Sequence, residues 1–419
     1  MDAFTYRNGI LHVDDVPLNQ LADQYGTPLY VYSRSHLKAQ FKALVDAMAE
    51  VKPLICYSVK ANSNGAVIRT FADLGSGFDI VSGGELFRAL RAGADAGKIV
   101  FAGVGKTEDE IRYAIRENIR FFTVESEPEA MQIARCAESM GARARIAFRI
   151  NPDVDPKTHK YISTGKKENK FGLDMERAQR AYAFAATLPG IEIAGLHMHI
   201  GSQILTVEPF VEALDKVLPL CRQFQALYPT FKTLDIGGGI GIQYKPDQAP
   251  LAAAAFAAAV VPAIKRSGLS IVMEPGRNLV GNAGVLLCRA HYIKESPLKV
   301  FVIADAGMND LIRPSLYQAH HDIRAVRQIT GTLQGDLVGP ICESGDFVAQ
   351  DRVLPAVQAG DLLAVMSAGA YGFSMASTYN SRPRPAEVMV EGKRLALIRE
   401  RDTREDLVAR EPDPAGIRF

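Results

Sequence analysis

The 419-residue chain is predicted to be an α/β protein, a (β/α)8 barrel of the TIM type joined to a mainly β C-terminal domain. Three observations predict it. From about residue 53 to 274 short apolar runs alternate with amphipathic segments, the pattern of βα units feeding a parallel sheet. The apolar runs number eight in roughly 220 residues, the span of a complete barrel. After Arg277 the chain turns to β-prone pieces separated by Gly and Pro, without helices of comparable length.

In chain order the expected barrel strands are 53–59, 78–81, 98–102, 120–124, 145–150, 195–200, 233–236 and 270–273, with helical stretches such as 66–74, 127–140 and 207–228 between them. Residues 252–259 are alanine at seven of eight positions; alanine is the best helix former, and the block falls where the last crossover helix is due. Later β pieces are 298–303, 347–354 and 362–365, and the strand-like 4–6 and 10–13 can join the same domain. The resulting division is a barrel over 31–277 and a β domain made of 1–30 and 278–419. Residues 151–172 form a run of about twenty without periodicity, a length typical of lids and binding loops. Its lysines (Lys157, Lys160, Lys166, Lys167, Lys170) read as a solvated face rather than a phosphate trap.

Composition excludes several classes of function. Lys plus Arg (48) nearly cancel Asp plus Glu (47), so there is no electrostatic footprint for nucleic acid or an anionic membrane. The five cysteines are scattered, with no paired spacing for zinc or a redox dithiol, and fit a reducing cytoplasm. No metal site is expected. The first ten residues lack the basic start and apolar run of a signal peptide, and no apolar stretch reaches membrane-spanning length.

Barrel enzymes place their chemistry at the C-terminal ends of the strands, and the unusual residues of this chain cluster there. Lys60 directly follows the first strand, within Tyr57-Ser58-Val59-Lys60-Ala61-Asn62. An ammonium held there without solvation would become a nucleophile able to form a Schiff base; the bland alternative is a surface lysine. His199, in His197-Met198-His199-Ile200-Gly201-Ser202-Gln203, is either a satisfied core histidine or a flat ring stacked on a cofactor. Gly237, Gly238 and Gly239 after the seventh strand allow backbone N–H groups to approach an anion, as phosphate sites require. Glu274 and Arg277 stand either side of Pro275 and Gly276, a rigid turn that holds an acid and a base apart or lets them pair. A carboxylate beside the pyridine nitrogen of pyridoxal phosphate keeps that nitrogen protonated and the ring a strong electron sink, which suits decarboxylation; an arginine there would suit racemisation.

Together these motifs resemble the fold-type III pyridoxal-phosphate decarboxylases, whose alanine-racemase-like barrel carries a C-terminal β domain. Within that group the stretches Arg313-Pro314-Ser315-Leu316-Tyr317-Gln318-Ala319-His320-His321, Gly339-Pro340-Ile341-Cys342-Glu343-Ser344-Gly345-Asp346 and Ala368-Gly369-Ala370-Tyr371-Gly372 look like those of diaminopimelate decarboxylases, and the likeness covers essentially the full chain. It implies decarboxylation of meso-2,6-diaminopimelate to L-lysine and carbon dioxide, the last step of lysine biosynthesis. Lys60 would carry the cofactor as a Schiff base, His199 would stack on its ring and Glu274 would pair with its pyridine nitrogen, with Asp79 near Lys60. Gly237 to Gly239, Ser202, Pro275, Gly276, Arg277 and Tyr371 would surround the phosphate, and Cys342 would return the proton. The resemblance further implies a cytoplasmic homodimer with shared active sites.

A substrate with a second amino-acid head needs a cation for its far carboxylate and an acceptor for its far ammonium. Arg313 and Glu343 are that pair, with Tyr317 able to add a hydroxyl, and the resemblance implies that Arg277 and Tyr371 also lie near the substrate. In a pocket for ornithine or lysine, whose far end is an ammonium alone, an arginine would set like charges together. The competing readings are a basic-amino-acid decarboxylase, opposed by Arg313; a racemase, opposed by Glu274; and a non-catalytic relative, which should lack Lys60 or Cys342.

Overall fold

The computed structural model describes residues 3–155 and 170–417. Lys157, Lys160, Lys166 and Lys167 lie outside the described residues. The chain divides into two units, one of Leu37–Gln243 with Ala249–Leu279, the other of Met1–His36 with Tyr244–Gln248 and Val280–Phe419.

The first unit is a closed parallel barrel of eight strands in sequential order: β1 (Leu54–Ser58), β2 (Gly77–Ile80), β3 (Ile99–Phe101), β4 (Phe121–Val124), β5 (Ala144–Arg149), β6 (Ile191–His197), β7 (Thr233–Asp235) and β8 (Ser270–Met273). Val272 and Met273 pair with Leu54 and Ile55, which closes the ring. Cys56, Val100, Phe121, Ala147 and Val272 come from five strands and pack on one another, which they can do only inside the barrel. Connecting helices start where the sequence supplies caps: the side chains of Ser82, Thr107, Ser126 and Asp174 each accept a backbone N–H three residues on. The alanine block forms the helix Ala253–Ser267, which ends at Gly268 in the left-handed conformation at φ 67°.

One expected strand is displaced. Residues 195–200 were expected to form the sixth strand, but β6 begins at Ile191 and stops at His197, with a bulge between Ile193 and Gly195. The apolar 191, 193 and 196 and the buried His197 belong to the strand, whereas the apolar Met198 and Ile200 are loop residues buried for packing. His199 therefore projects from a loop beyond the strand end, the position from which barrels present ligand-binding groups.

The second unit is built on Gly284–Glu295, a twelve-residue strand that pairs with Leu29–Ser33, Leu362–Val365 and Val300–Ala304. Leu29–Ser33 also pairs in parallel with Ala386–Glu391, so the N-terminal segment is woven into this sheet. Its five residues are all buried, and Tyr30 and Tyr32 join Leu286, Cys288, Val302, Leu337 and Leu363 in one core. Phe4–Arg7, Ile10–Val13 and Val16–Pro17 form a small antiparallel sheet of their own, and Leu11 N–H donates to Val326 O. No helix among the described residues is long and apolar enough to cross a membrane.

Candidate active site

At the C-terminal end of the barrel, β1 runs into a single 3-10 turn, Val59–Ala61, which projects Lys60 from the strand end. Lys60 Nζ donates to Asp79 Oδ2 at 2.8 Å, and Ser58 Oγ donates to the same oxygen at 2.8 Å. The lysine is not desolvated as expected: its side chain is 41% exposed and ion-paired, while Asp79 is fully buried. Burial pushes the Asp79 carboxyl above its usual range, as does neighbouring Glu274, against the pull of Lys60.

Glu274 is buried just past β8. Its Oε2 lies 3.1 Å from His197 Nε2, and its Oε1 has no hydrogen-bond partner among the described residues. Burial alone would raise this carboxyl; the electrostatic pull and hydrogen bond of His197, with Lys60 behind, outweigh burial and hold it down at about 2. Arg277 donates from Nη2 to Ser202 Oγ at 3.0 Å, joining the loops after β6 and β8.

The three glycines are required by packing as well as by any ligand. A Cβ on Gly237 would stand 2.5 Å from Met198 O, on Gly238 2.1 Å from Glu274 O and on Gly239 2.4 Å from Gly201 O. Gly237 and Gly239 adopt φ values of 67° and 109° as well. Gly237 N–H donates to Asp235 Oδ1 at 2.9 Å and Gly238 N–H to His199 Nδ1 at 3.2 Å. The second bond sets the tautomer and plane of His199. Burial, then the charges of Arg149 and Lys60, push the His199 pKa well below its ordinary value, so the ring is neutral.

The second unit holds the rest of the predicted residues. Arg313 is buried at the start of a one-turn helix, Arg313–Tyr317, with its guanidinium 4.8 Å from the Tyr244 ring centroid. Its Nη1 lies 2.9 Å from His321 Nε2, and His321 Nδ1 lies 2.8 Å from Met366 O. A carbonyl can only accept, so His321 donates from Nδ1 and accepts Arg313 at Nε2. Tyr317 closes the same turn, half-buried. Cys342 is the exposed thiol of the five; Cys56, Cys136, Cys221 and Cys288 are buried. Cys342 N–H donates to Asn380 Oδ1 at 2.8 Å, and Tyr379 donates its hydroxyl to Glu343 Oε2 at 2.9 Å. Asp346 braces this loop, accepting the N–H groups of Met308 and Ile341, both at 2.6 Å. Tyr371 stands at φ 56°, a left-handed conformation few non-glycine residues adopt.

Residues 34–281 match the family model described as pyridoxal-dependent decarboxylase, pyridoxal binding domain. The chain is 49% identical over 412 residues to the diaminopimelate decarboxylase of Pseudomonas aeruginosa, covering 98% of this chain and 99% of that protein. The chain belongs to the diaminopimelate decarboxylase family. Solved members superpose closely: that from M. jannaschii in co-complex with L-lysine gives a TM-score of 0.94 at 39% identity over 99% of this chain and 98% of that one. The Helicobacter pylori enzyme complexed with L-lysine gives 0.90 at 43% over 94% and 98%.

The barrel residues fit the cofactor of this family. Pyridoxal phosphate brings a protonated ring nitrogen, a flat ring, a carbonyl carbon and a phosphate. Against these the diaminopimelate decarboxylase fold here sets an ionised Glu274 with an unused buried oxygen, a neutral imidazole, a lysine amine, and a glycine turn beside Ser202 and Arg277. Several polar partners carry no role in the sequence analysis, among them His197, Asp235, His321, Asp346 and Asn380. His197, His321 and Asp346 sit inside quoted motifs, yet nothing in one sequence separates a motif's contacting residue from its support.

Proposed function

We propose that the chain removes one carboxylate of meso-2,6-diaminopimelate as carbon dioxide and leaves L-lysine, using pyridoxal phosphate held on Lys60. What carries this reading is near-full-length identity to named diaminopimelate decarboxylases together with the free Oε1 of buried, ionised Glu274, an acceptor suited to a protonated ring nitrogen. His199 would lie against the ring, while Ser202, Gly237, Gly238, Gly239, Pro275, Gly276, Arg277 and Tyr371 would surround the phosphate. When bound, the cofactor supplies the electron sink for the pair released with carbon dioxide.

The chain's own residues bind, orient and protonate. Arg313, whose guanidinium is fixed by His321 and Tyr244, takes the far carboxylate, Glu343 takes the far ammonium, and Tyr317 adds a hydrogen bond. Arg277 and Tyr371 hold the reacting end. Asp79 keeps the Lys60 amine in place. The Cys342 thiol donates its proton from Sγ to the carbon that lost carbon dioxide and regains one from solvent; its exposure and the clamp of Asn380 support that role. The working form is a cytoplasmic homodimer in which residues around Cys342 serve the partner's site. Lys60→Ala should abolish the yellow absorbance of covalently held cofactor; a Lys60→Ala protein that keeps that band overturns the assignment of Lys60.

A further inference from the structure

Under the site lies a buried group whose charges do not balance. His197 and Asp235 are register partners at the ends of β6 and β7, and Glu274 follows β8, the next strand round. One side-chain nitrogen or oxygen from each of His197, Asp235 and Glu274 lies within 4.8 Å of the other two, and all three side chains are buried. Two carboxylates share this space, a third, Asp79, stands nearby, and the neighbouring Lys60 and His197 already have carboxylate partners. Lys60 pairs with Asp79 and His197 with Glu274. Asp235 has only the Gly237 N–H on Oδ1; its Oδ2 has no partner among the described residues. An ionised carboxylate there, fully buried with one backbone N–H as its hydrogen-bond donor among the described residues, would be poorly compensated.

We propose that Asp235 is held as the neutral acid and donates its O–H to the Glu274 carboxylate, so that Glu274 stays ionised and aimed with Oε1 toward the ring nitrogen of the cofactor. Asp235 is thus a positioning residue. Two close carboxylates cannot both ionise cheaply, and their protonation divides. Burial first, then the Glu274 charge, drives Asp235 well above the carboxylate range, while Glu274 is drawn down. The other charged or titratable groups bearing on the pair agree with this division. Asp79 adds negative charge that disfavours ionising Asp235, Lys60 favours ionised Glu274, His199 is neutral, and the Cys56 thiol is buried and neutral. The proposal rests on the reading of Glu274 as the ring-nitrogen partner.

Asparagine reproduces a neutral aspartic acid, since its carbonyl can accept the Gly237 N–H while its amide donates to Glu274. Infrared difference spectra of cofactor-free wild type against Asp235→Asn should show a protonated carboxylic-acid band in the wild type and its loss in the variant. With pyridoxal phosphate added, Asp235→Asn should bind within about threefold of wild type, with an unchanged pH titration of the bound band, whereas Asp235→Ala should bind about tenfold or more weakly. No acid band, an asparagine variant that fails to fold or is as impaired as alanine, or a stoichiometric divalent metal in the wild type would overturn the proposal. Glu274→Gln tests the underlying reading separately: unchanged cofactor affinity there would remove Glu274 from the ring nitrogen, while the infrared result on cofactor-free protein stands by itself.

Discussion

Gly238 illustrates how single residues are fixed by more than one demand. A methyl group there would meet Glu274 O at 2.1 Å, so Gly238→Ala must move the backbone that carries Glu274. The expected cost is about 1–3 kcal/mol of stability, read as a lower Tm, with weakened cofactor binding. Glu85 makes a different prediction. Burial raises its pKa from 4.5 to about 7, although its carboxylate accepts the Val81 N–H at 2.8 Å. Between those values the folded state binds more protons than the unfolded one, so this residue's contribution to stability falls as pH rises through the window. Glu85→Gln keeps the acceptor and removes the titration, so its Tm advantage over wild type should be larger at about pH 8 than at about pH 5. Equal differences at the two pH values would contradict the assignment. At this scale the sequence singled out Lys60, His199, Glu274 and Arg277, which the structure places at the C-terminal end of the barrel, because strand-end position and side-chain chemistry coincide. It did not make Asp235 or His321 legible, because a supporting hydrogen bond leaves no mark in spacing.

At the scale of elements, the barrel strands could be located because a parallel strand buried on both faces is a bare apolar run with turn residues at its ends. That same signal misplaced β6, where apolar Met198 and Ile200 continue the run after the ladder has stopped. It also passed over Leu29–Ser33, which is paired with segments more than 250 residues away, beginning at Gly284 and Ala386. The loop Gly339–Phe347 owes its shape to Asp346, which accepts two backbone N–H groups and against which Gly307 and Gly339 pack. Asp346→Ala should leave both donors unsatisfied, at about 1–3 kcal/mol for each that stays buried. It should lower kcat through misplacement of Cys342 while leaving the absorbance of bound cofactor unchanged. Loss of the cofactor band in that variant would show that the loop's role reaches beyond Cys342.

At the scale of the molecule, the barrel carries the groups that fit the cofactor, and the β unit carries Arg313, Tyr317, Cys342, Glu343 and Tyr371. If sites are shared between subunits, mixing and reassociating Lys60→Ala with Cys342→Ala should restore about a quarter of wild-type activity from two inactive parents, because half the dimers then carry one intact site of two. The identity of the substrate rests on the two ends of Arg313 and Glu343 together. The most direct measurement is carbon dioxide release by the pyridoxal-phosphate-loaded protein from meso-diaminopimelate, with ornithine, arginine and lysine in parallel and L-lysine followed as product. Stoichiometric lysine from diaminopimelate alone is the predicted result; release from a basic amino acid would retain the cofactor site and contradict the assignment of Arg313 and Glu343.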